Sequence, residues 1–328
     1  MKRNRMSYLQ LKGRTAMALA VTGMLLASAL TASAQRKSDE VSVDGREVTI
    51  LVTVHPHSSR TRKIADTIQA GDFSVREEDR TQEIKSVKRA SEVPLIFAVL
   101  IQDDLISRVN NEIKTIKEFI RGLPQGSRVM TGYLTVGDLT VTEDFTTDLN
   151  RAASSLRIVR STGAATPFNP YLGVIAALRR FDSQPVGRRM VLLISDGLDD
   201  SRGFRSAAPS LSLDLDRAII EAQRRGVAVN TIYAPSVGLT SVNRLAINYG
   251  QGSLNRIADE TGGEAFFSGT TFVTFSPYFK ELNELMGRQW VITYRSTNTD
   301  SGFRRIKVTT EQDVHLHYPV GYRVRDKD

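Results

Sequence analysis

The chain has 328 residues, of which 41% are hydrophobic and 24% are charged, and its formal net charge is +8. This composition fits one large or two modest globular domains and excludes an intrinsically disordered chain. Because the sequence contains no cysteine, disulfides, a thiolate nucleophile and a cysteine-ligated zinc site are excluded as well.

Residues 1–34 have the features of a secretory signal peptide. A basic segment without acidic residues, MKRNRMSYLQLKGR, precedes the apolar run TAMALAVTGMLLASAL. A pattern of alternating small residues then ends at Ala34, which predicts cleavage after that residue. The alternative is a membrane anchor, but the apolar run is shorter than the ~20 residues that span a bilayer. We therefore expect an exported protein, periplasmic or secreted, without a stable membrane span.

The high positive charge belongs largely to this leader. Five of the basic residues lie there without acidic neighbours, so the +8 of the whole chain falls to +3 once the leader is removed. The sequence has no basic stripe interleaved with aromatic residues. Binding of nucleic acid is therefore not predicted.

A small β unit is predicted for residues 35–92. The segment VTILVTVHPH at residues 48–57 is typical of a strand. The segments FSVRE and EIKSVKR alternate between apolar and polar residues, and the acidic turn EEDR separates them. This part of the chain therefore contributes strands and no long helix.

The pattern changes to alternating strands and helices in residues 93–288. The runs LIFAVLI, RRMVLLIS and VAVNTIYA are continuously apolar, which predicts strands buried on both faces. Apolar residues at helical spacing separate them. We therefore predict an α/β fold with a doubly wound, mostly parallel sheet flanked by helices. Within it, the segment GQGSLN at residues 250–255 is interpreted as a loop in which Ser253 caps the helix that follows.

Residues 289–328 return to β structure. The segments QWVITYRS, GFRRIKVTT and VHLHYPVGYRV alternate and are separated by turns. Their type matches the strands near the amino terminus. We expect the strands from both ends of the chain to join in one β subdomain beside the α/β domain.

Polar side chains follow the buried strands of the predicted sheet, where ligands bind in open α/β folds. The first strand ends in Gln102, Asp103 and Asp104, and the middle strand ends in SDGLDD with Asp196, Asp199 and Asp200. The loop STGAATPFNP adds hydroxyl groups that include the one of Thr166. Carboxylates and hydroxyls that meet in this way suit a hard cation such as Mg²⁺ or Ca²⁺.

The order and spacing of three of these segments resemble a von Willebrand factor type A domain. They are FAVLIQDDLIS, GAATPFNPYLGVIAAL and VLLISDGLDD. The flanking strands look like the exported bacterial proteins described as VWFA-related, and together the resemblance covers residues 41–325. The family implies a metal-ion-dependent adhesion site whose first strand ends in Asp-x-Ser-x-Ser. In this chain the register places Gln102, Asp104 and Ile106 at those positions, while Thr166 and Asp196 match the family threonine and last aspartate.

These departures predict a degenerate site. Gln102 is neutral where the family has a carboxylate, and Ile106 offers no oxygen. We therefore expect no cofactor, and weak binding of Mg²⁺ or Ca²⁺ by Asp104, Thr166 and Asp196 is the alternative. Without a metal, Asp104 and Asp196 are expected to accept backbone N–H bonds near helix N-termini. The last two acids of the SDGLDD segment are expected to be solvated.

All four histidines fall in two His-x-His pairs, His55 with His57 and His315 with His317. Residues two apart on a strand share a face. If the two strands were neighbours, the imidazoles could suit Zn²⁺, Cu²⁺ or Ni²⁺. Packing of exposed or half-buried histidines is the alternative, since Pro56 interrupts the first pair.

The resemblance implies a protein-binding, adhesion-like module rather than an enzyme. We expect a protein partner to contact the loops that carry the seven residues named at the sheet edge, namely Gln102, Asp103, Asp104, Thr166, Asp196, Asp199 and Asp200. Catalysis by a serine nucleophile has little support, since no Gly-x-Ser-x-Gly occurs. The alternatives are a scaffold that binds through edge strands of the β subdomain, and a hydrolase with an unrecognised site.

Overall fold

The computed structural model describes residues 45–161, 168–267, 269, 272 and 274–324, and these residues belong to one compact unit. The strands are β1 Arg46–Pro56, β2 Ser74–Glu77, β3 Arg80–Thr81, β4 Glu83–Arg89, β5 Leu95–Gln102, β6 Arg128–Thr135, β7 Asp138–Thr146, β8 Arg188–Ser195, β9 Val227–Tyr233, β10 Ala265–Phe266, β11 Gln289–Ser296, β12 Gly302–Thr309, β13 Val314–His317 and β14 Gly321–Val324. The helices are α1 Arg62–Thr67, α2 Ile113–Arg121, α3 Leu149–Ser154, α4 Pro170–Arg179, α5 Leu213–Arg225, α6 Arg244–Thr261 and α7 Ser276–Gly287. None of the helices in these ranges is long and apolar enough to cross a bilayer.

A six-stranded sheet with the order β10-β9-β8-β5-β6-β7 forms the centre of the molecule. Strands β10, β9, β8, β5 and β6 are parallel, and only β7 runs antiparallel to its neighbour. Helices cover both faces of the sheet. Strands β5, β8 and β9 are therefore buried along their whole length. The predicted α/β fold class is therefore confirmed.

The alternation of side chains along β5 divides the apolar interior into two layers. Phe97, Val99 and Ile101 pack with α2 and α7 on one face of the sheet. Ala98 and Leu100 pack with α4 and α5 on the other face. Because successive side chains of a strand point to opposite faces, a continuously apolar strand supplies both layers at once.

Strands from both ends of the chain form the β subdomain. One antiparallel sheet has the order β13-β1-β11-β4, and a second has the order β14-β12-β2-β3. Apolar side chains from both sheets share a third core, which includes Val52, Trp290 and Val308. The predicted union of the amino- and carboxyl-terminal strands is thus confirmed, while the boundaries 35–92, 93–288 and 289–328 stay a prediction.

Strand β1 is an interior strand, paired with β13 on one side and β11 on the other. Its two faces bury different cores. Val52 faces the core of the β subdomain, whereas Leu51 joins the core beneath the six-stranded sheet. Its partner strand β11 behaves in the same way, with Ile292 in one core and Val291 in the other. The first sheet therefore connects the β subdomain to the α/β part through a shared apolar layer.

A buried carboxylate ties the second β sheet to the first. Glu77 accepts hydrogen bonds from the hydroxyls of Tyr294 at 3.0 Å, Tyr322 at 3.1 Å and Ser296 at 2.8 Å. Three donors satisfy the carboxylate without a cationic partner, which makes its burial tolerable.

The glycine-rich segment at residues 250–255 is helical, so its interpretation as a loop was wrong. Helix α6 begins earlier, with Asn243 as its N-cap, whose side chain accepts from the backbone of Leu245 and Ala246. Ser253 lies inside the helix and is buried. Gly250 is required there because a Cβ at that position would lie 1.9 Å from the carbonyl oxygen of Asp196.

The two histidine pairs lie on neighbouring strands. His55 pairs with His315 in the register of β1 and β13, and the ring of His55 is about 6 Å from the rings of His315 and His317. The Nε2 of His55 is 3.0 Å from a carboxylate oxygen of Glu264. Among the described residues, no group of three or more histidine, aspartate or glutamate side chains is arranged to hold a metal ion. The cluster instead connects β1 and β13 to the segment before β10.

Candidate functional site

The predicted site lies at the carboxyl edge of the six-stranded sheet, between β5 and β8. The chain passes from β5 to β6 on one side and later returns to β8 on the other side of β5. This is the point where the winding direction reverses, and open α/β sheets form a crevice there. Gln102 ends one of these strands, and Asp196 directly follows the other.

Gln102 is the centre of the buried hydrogen-bond network at this edge. Its Oε1 accepts from the hydroxyl of Ser195 at 2.5 Å and from the backbone N–H of Asp196 at 3.1 Å. Its Nε2 donates to Oδ1 of Asp104 at 2.8 Å. A carboxylate in this position would lack the donor. The neutral amide therefore joins the two strand ends to the acidic side chain of Asp104.

Asp196 is buried and its two carboxylate oxygens accept hydrogen bonds from the protein. Oδ1 accepts from the backbone N–H of Leu198 at 3.1 Å, and Oδ2 accepts from the hydroxyl of Thr240 at 2.9 Å. Burial raises the pKa of Asp196, although these hydrogen bonds oppose the rise. The expected bond to a backbone N–H is therefore present.

Asp104 is a buried acid close to a second one. Its relative exposure is 8%, and its carboxylate accepts a hydrogen bond from the neutral amide of Gln102. Burial, followed by the negative charge of Asp196, raises the pKa of Asp104 to about 6. Burial and the neighbouring carboxylate therefore both favour the protonated form of Asp104.

Asp103 has a different environment from Asp104, although the two are adjacent. The guanidinium of Arg157 donates to both oxygens of Asp103, at 2.7 and 2.8 Å, and the backbone of Arg160 donates at 3.1 Å. The guanidinium carbon of Arg157 lies 3.9 Å from the ring centroid of Tyr133. This bidentate pair fixes the segment before α4 against the end of β5.

The acids after β8 also serve the local structure. Asp199 is buried, contrary to the expectation of a solvated acid, and it accepts from the hydroxyls of Ser201 at 2.6 Å and Ser212 at 2.9 Å. Asp200 is half-buried and accepts from the backbone N–H of Phe168 at 2.6 Å. Burial raises the pKa of Asp200. Both acids therefore shape the loop between β8 and α5.

The structure brings most of the predicted residues to one edge and adds others. Gln102, Asp104 and Asp196 share a network, whereas Asp103 belongs to a separate ion pair. Thr166 lies outside the described residues. Sequence reasoning missed Arg157 and Thr240 because neither lies in a recognisable motif, and their partners are 54 and 44 residues away.

The residues described at this edge do not fit a divalent cation. The oxygens of Gln102 and Asp196 already accept hydrogen bonds, and Ile106 supplies no ligand. The described part of the chain contains no group of three or more acidic or histidine side chains that could hold a metal. A hard cation needs about six oxygen ligands, so we derive no chemistry from a metal here.

We expect calorimetric titration of Mg²⁺, Mn²⁺ or Ca²⁺ into chelator-treated protein to give no saturable heat at concentrations of about 1 mM, which is the weak end of the affinities of natural calcium sites. The reason is that metal binding would have to replace the protein donors that already occupy Gln102 and Asp196. Asp196→Asn is the matched comparison. Saturable binding by the wild type that is lost in Asp196→Asn would contradict this expectation.

Comparison with known proteins gave matches in structure only. No protein-family profile matches the chain, and no curated protein sequence matches it either. An aerotolerance-related membrane protein from Bacteroides fragilis is similar over 59% of this chain and 99% of its own, with 14% identity and a TM-score of 0.42. A von Willebrand factor type A protein from Catenulispora acidiphila is similar over 84% of this chain and 74% of its own, with 11% identity and a TM-score of 0.41. Manganese-loaded TRAP protein from Plasmodium vivax is similar over 73% of this chain and 83% of its own, with 14% identity and a TM-score of 0.39.

Proposed function

We propose that this protein is an exported, non-enzymatic binding module that captures a protein partner with the loops at the carboxyl edge of its six-stranded sheet. The relation to type A domains and the export rest on the sequence, namely the order of the three motif segments and the leader at residues 1–34. The binding surface rests on how exposed apolar side chains are distributed over the described structure.

Large apolar side chains that are exposed concentrate at this edge. Of the eleven in the described residues, seven lie in loops or first helical turns that follow the carboxyl end of a strand. The seven are Val136, Leu211, Leu213, Leu239, Val242, Leu245 and Phe267. Ile158 and Leu172 lie after α3 and at the start of α4, next to the same edge, and Val186 and Val320 lie elsewhere. Single exposed apolar residues are ordinary, but their concentration on one edge is typical of a contact surface. This distribution is the observation that carries the proposal.

Hydrogen bonds between the loops after β5 and β9, and to the buried side chain of Asp196, give the surface a fixed shape. The backbone N–H of Val237 donates to the carbonyl of Asp104 at 2.9 Å, and that of Ile106 donates to the carbonyl of Pro235 at 3.0 Å. These bonds join the loop after β5 to the loop after β9, and Thr240 adds the bond to Asp196. A pre-formed surface loses less conformational entropy on binding, which favours affinity. In this proposal the buried residues of the predicted site position the surface, and the exposed residues contact the partner.

The alternative is a scaffold that binds through edge strands of the β subdomain. Strand β1, which contains the segment VTILVTV, offers no such edge, because it lies between β13 and β11 and is paired on both sides. The edge strand β4 carries Lys85 and Lys88. Charged residues, lysine above all, discourage pairing with another chain. These features favour the loop surface over the scaffold.

Replacing Val242 by aspartate is the test of the loop surface. Val242 is 85% exposed, so the change should leave folding intact while it places a charge in an apolar contact. We expect captured partner to fall by about tenfold or more, since one lost hot spot of ~1.4 kcal/mol already corresponds to a factor of ten. The measurement is quantitative affinity capture from the exported fraction of the source cells, with mass spectrometry of the bound proteins.

Val186→Asp is the matched control, because Val186 is 73% exposed and precedes β8 at the opposite edge. It should capture the same proteins as the wild type. Equal capture by wild type and Val242→Asp, or an equal loss in both variants, would count against the loop surface. Turnover in a broad hydrolase screen would contradict the non-enzymatic part of the proposal.

A further inference from the structure

A cleft of about 770 Å³ lies at the end of the molecule opposite the loop surface. Its walls come from the beginning of β1 and of β8, from the end of α5, and from β14. It is therefore situated where the α/β part meets the β subdomain, at the amino edge of the six-stranded sheet. None of the residues of the proposed partner surface takes part in it.

Arginines dominate the charge of this cleft. Five arginines line it, compared with the two acids Glu47 and Asp182. The five are Arg46, Arg189, Arg224, Arg225 and Arg323. A cleft lined by one sign of charge focuses the field and concentrates ligands of opposite charge.

Two of the arginines are neutralised by acids of the protein. Nε of Arg225 is 2.9 Å from Oδ1 of Asp182, and Arg225 also pairs with Glu221. Nη1 of Arg224 is 3.0 Å from Oε1 of Glu221. These ion pairs order the end of α5 and leave the other three arginines and Glu47 to set a net positive charge of the cleft.

Arg189 is a buried positive charge held by backbone groups. It is 6% exposed, and its guanidinium donates to the carbonyls of Pro185 at 2.8 Å, Arg225 at 3.0 Å and Gln184. Burial lowers the pKa of Arg189, and the charges of Asp182 and Arg225 act on it in opposite directions. Carbonyl oxygens satisfy its donors without cancelling its full charge, so Arg189 makes the wall of the cleft positive.

Arg46 and Arg323 have hydrogen-bond donors that the described protein atoms do not satisfy. Nη1 of Arg46 and Nε of Arg323 are buried without a hydrogen-bond partner in the described structure. The guanidinium carbon of Arg323 lies 5.4 Å from the ring centroid of Phe303. An unsatisfied buried donor destabilises the folded protein, more so when it is charged, and an anion that accepts from it removes this cost.

We propose that this cleft binds a small, multiply charged oxyanion, with Arg46 and Arg323 as its direct ligands and Arg189 as a fixed charge behind them. The planar fork of a guanidinium matches the oxygens of phosphate and carboxylate groups. The volume of the cleft falls within the range of ~300–1,000 Å³ that is typical of small-molecule sites. This inference does not depend on the proposed function, since the two surfaces share no residue.

Calorimetric titration of inorganic pyrophosphate into the purified protein tests the site, and citrate in a second titration distinguishes phosphate from carboxylate chemistry. We expect saturable binding of at least one of the two anions. The double variant Arg46→Gln with Arg323→Gln should weaken it by about tenfold or more, because it removes the charge-assisted hydrogen bonds of both direct ligands. Arg46→Lys with Arg323→Lys keeps the charges but not the forks and should bind more weakly than the wild type.

Arg108→Gln with Arg205→Gln is the charge-matched control, because both arginines are exposed at the opposite edge of the sheet. It should bind as the wild type does. Thermal unfolding of each variant confirms that it folds. The absence of saturable heat with both anions, or equal affinity of wild type and the double glutamine variant, overturns the proposal. An equal loss of affinity in the control variant Arg108→Gln with Arg205→Gln also overturns it, since the binding would then reflect net charge alone.

Discussion

Replacing Gly250 with alanine should lower the free energy of unfolding by about 3 kcal/mol, the upper part of the range for overpacked sites. Helix propensity alone predicts the opposite sign, because alanine favours a helix interior over glycine by ~1 kcal/mol. The close contact of this position with the backbone of Asp196 reverses the expected sign of the change in stability. A Cβ on Gly250 would lie 1.9 Å from the carbonyl oxygen of Asp196 and 3.1 Å from its carbonyl carbon. These are backbone atoms, so no side chain can rotate away to make room.

The contact between Gly250 and Asp196 matters for the candidate site because it lies directly at the carboxyl edge of the sheet. Gly197, which has a φ of 70°, would place a Cβ 2.4 Å from the carbonyl oxygen of Gly250. The turn after β8 and helix α6 therefore approach each other through two glycines. Moving them apart would displace Asp196 from Gln102 and Thr240. We expect Gly250→Ala to reduce partner capture as well as stability.

Gly287→Ala is the matched control for this prediction. Gly287 is the last residue of α7, and a Cβ there would have no atom within 4 Å. We expect its effect on stability to stay within about 0.5 kcal/mol. The measurement is equilibrium unfolding in urea. Equal midpoints for the wild type and Gly250→Ala would show that α6 can move away from the turn at little cost.

Replacing Asp104 with asparagine should stabilise the protein by about 3 kcal/mol at pH 8 but by only about 1 kcal/mol at pH 4.5. The pKa of Asp104 rises from 3.8 to about 6 on folding because of burial and then because of the charge of Asp196. An acid whose folded pKa is raised contributes stability that is fully present below pH ~4 and is lost as the pH rises through about 6. Each pKa unit corresponds to ~1.4 kcal/mol. Asparagine resembles the protonated acid and can still accept from Gln102, so it keeps the stability that the wild type loses.

Asp103→Asn is the control that changes the neighbouring acid in the same way. It should destabilise the protein at pH 8 by about 2 kcal/mol, because the guanidinium of Arg157 loses its bidentate carboxylate partner. The measurement is urea unfolding at pH 4.5 and pH 8 in the presence of a chelator. If Asp104→Asn and the wild type showed the same dependence of stability on pH, the assigned environment of Asp104 would be wrong.

The fold class could be predicted from the sequence because its signals are local. LIFAVLI, RRMVLLIS and VAVNTIYA are apolar at every position, and only a strand covered on both faces buries such a run. Gly226, directly after α5, ends that helix with a φ of 60°, a left-handed conformation that favours glycine. Strand type and helix ends depend on residues within a few positions, so periodicity and turn residues are sufficient to identify them.

The sequence was less informative where a residue's role depends on a distant contact. The glycines at residues 250–252 resembled a loop because glycine is rare inside helices, and the reason for Gly250 lies at Asp196, 54 residues earlier in the chain. Asp199 was expected in solvent, but Ser201 and Ser212 enclose it. Asp103 and Asp104 are adjacent and chemically identical, yet one meets Arg157 and the other meets a neutral amide.

The sequence by itself determined the alternation of strands and helices, the union of strand types at both ends, and the edge at which the polar residues meet. Only the tertiary structure decided that β1 is an interior strand, that Arg157 pairs with Asp103, and that five arginines gather in the cleft at the opposite edge. The physical reason is how far apart in the sequence the interacting residues lie. Apolar periodicity and backbone preference are set by neighbours along the chain, whereas ion pairs, buried hydrogen bonds and close glycine contacts form between segments that only packing brings together.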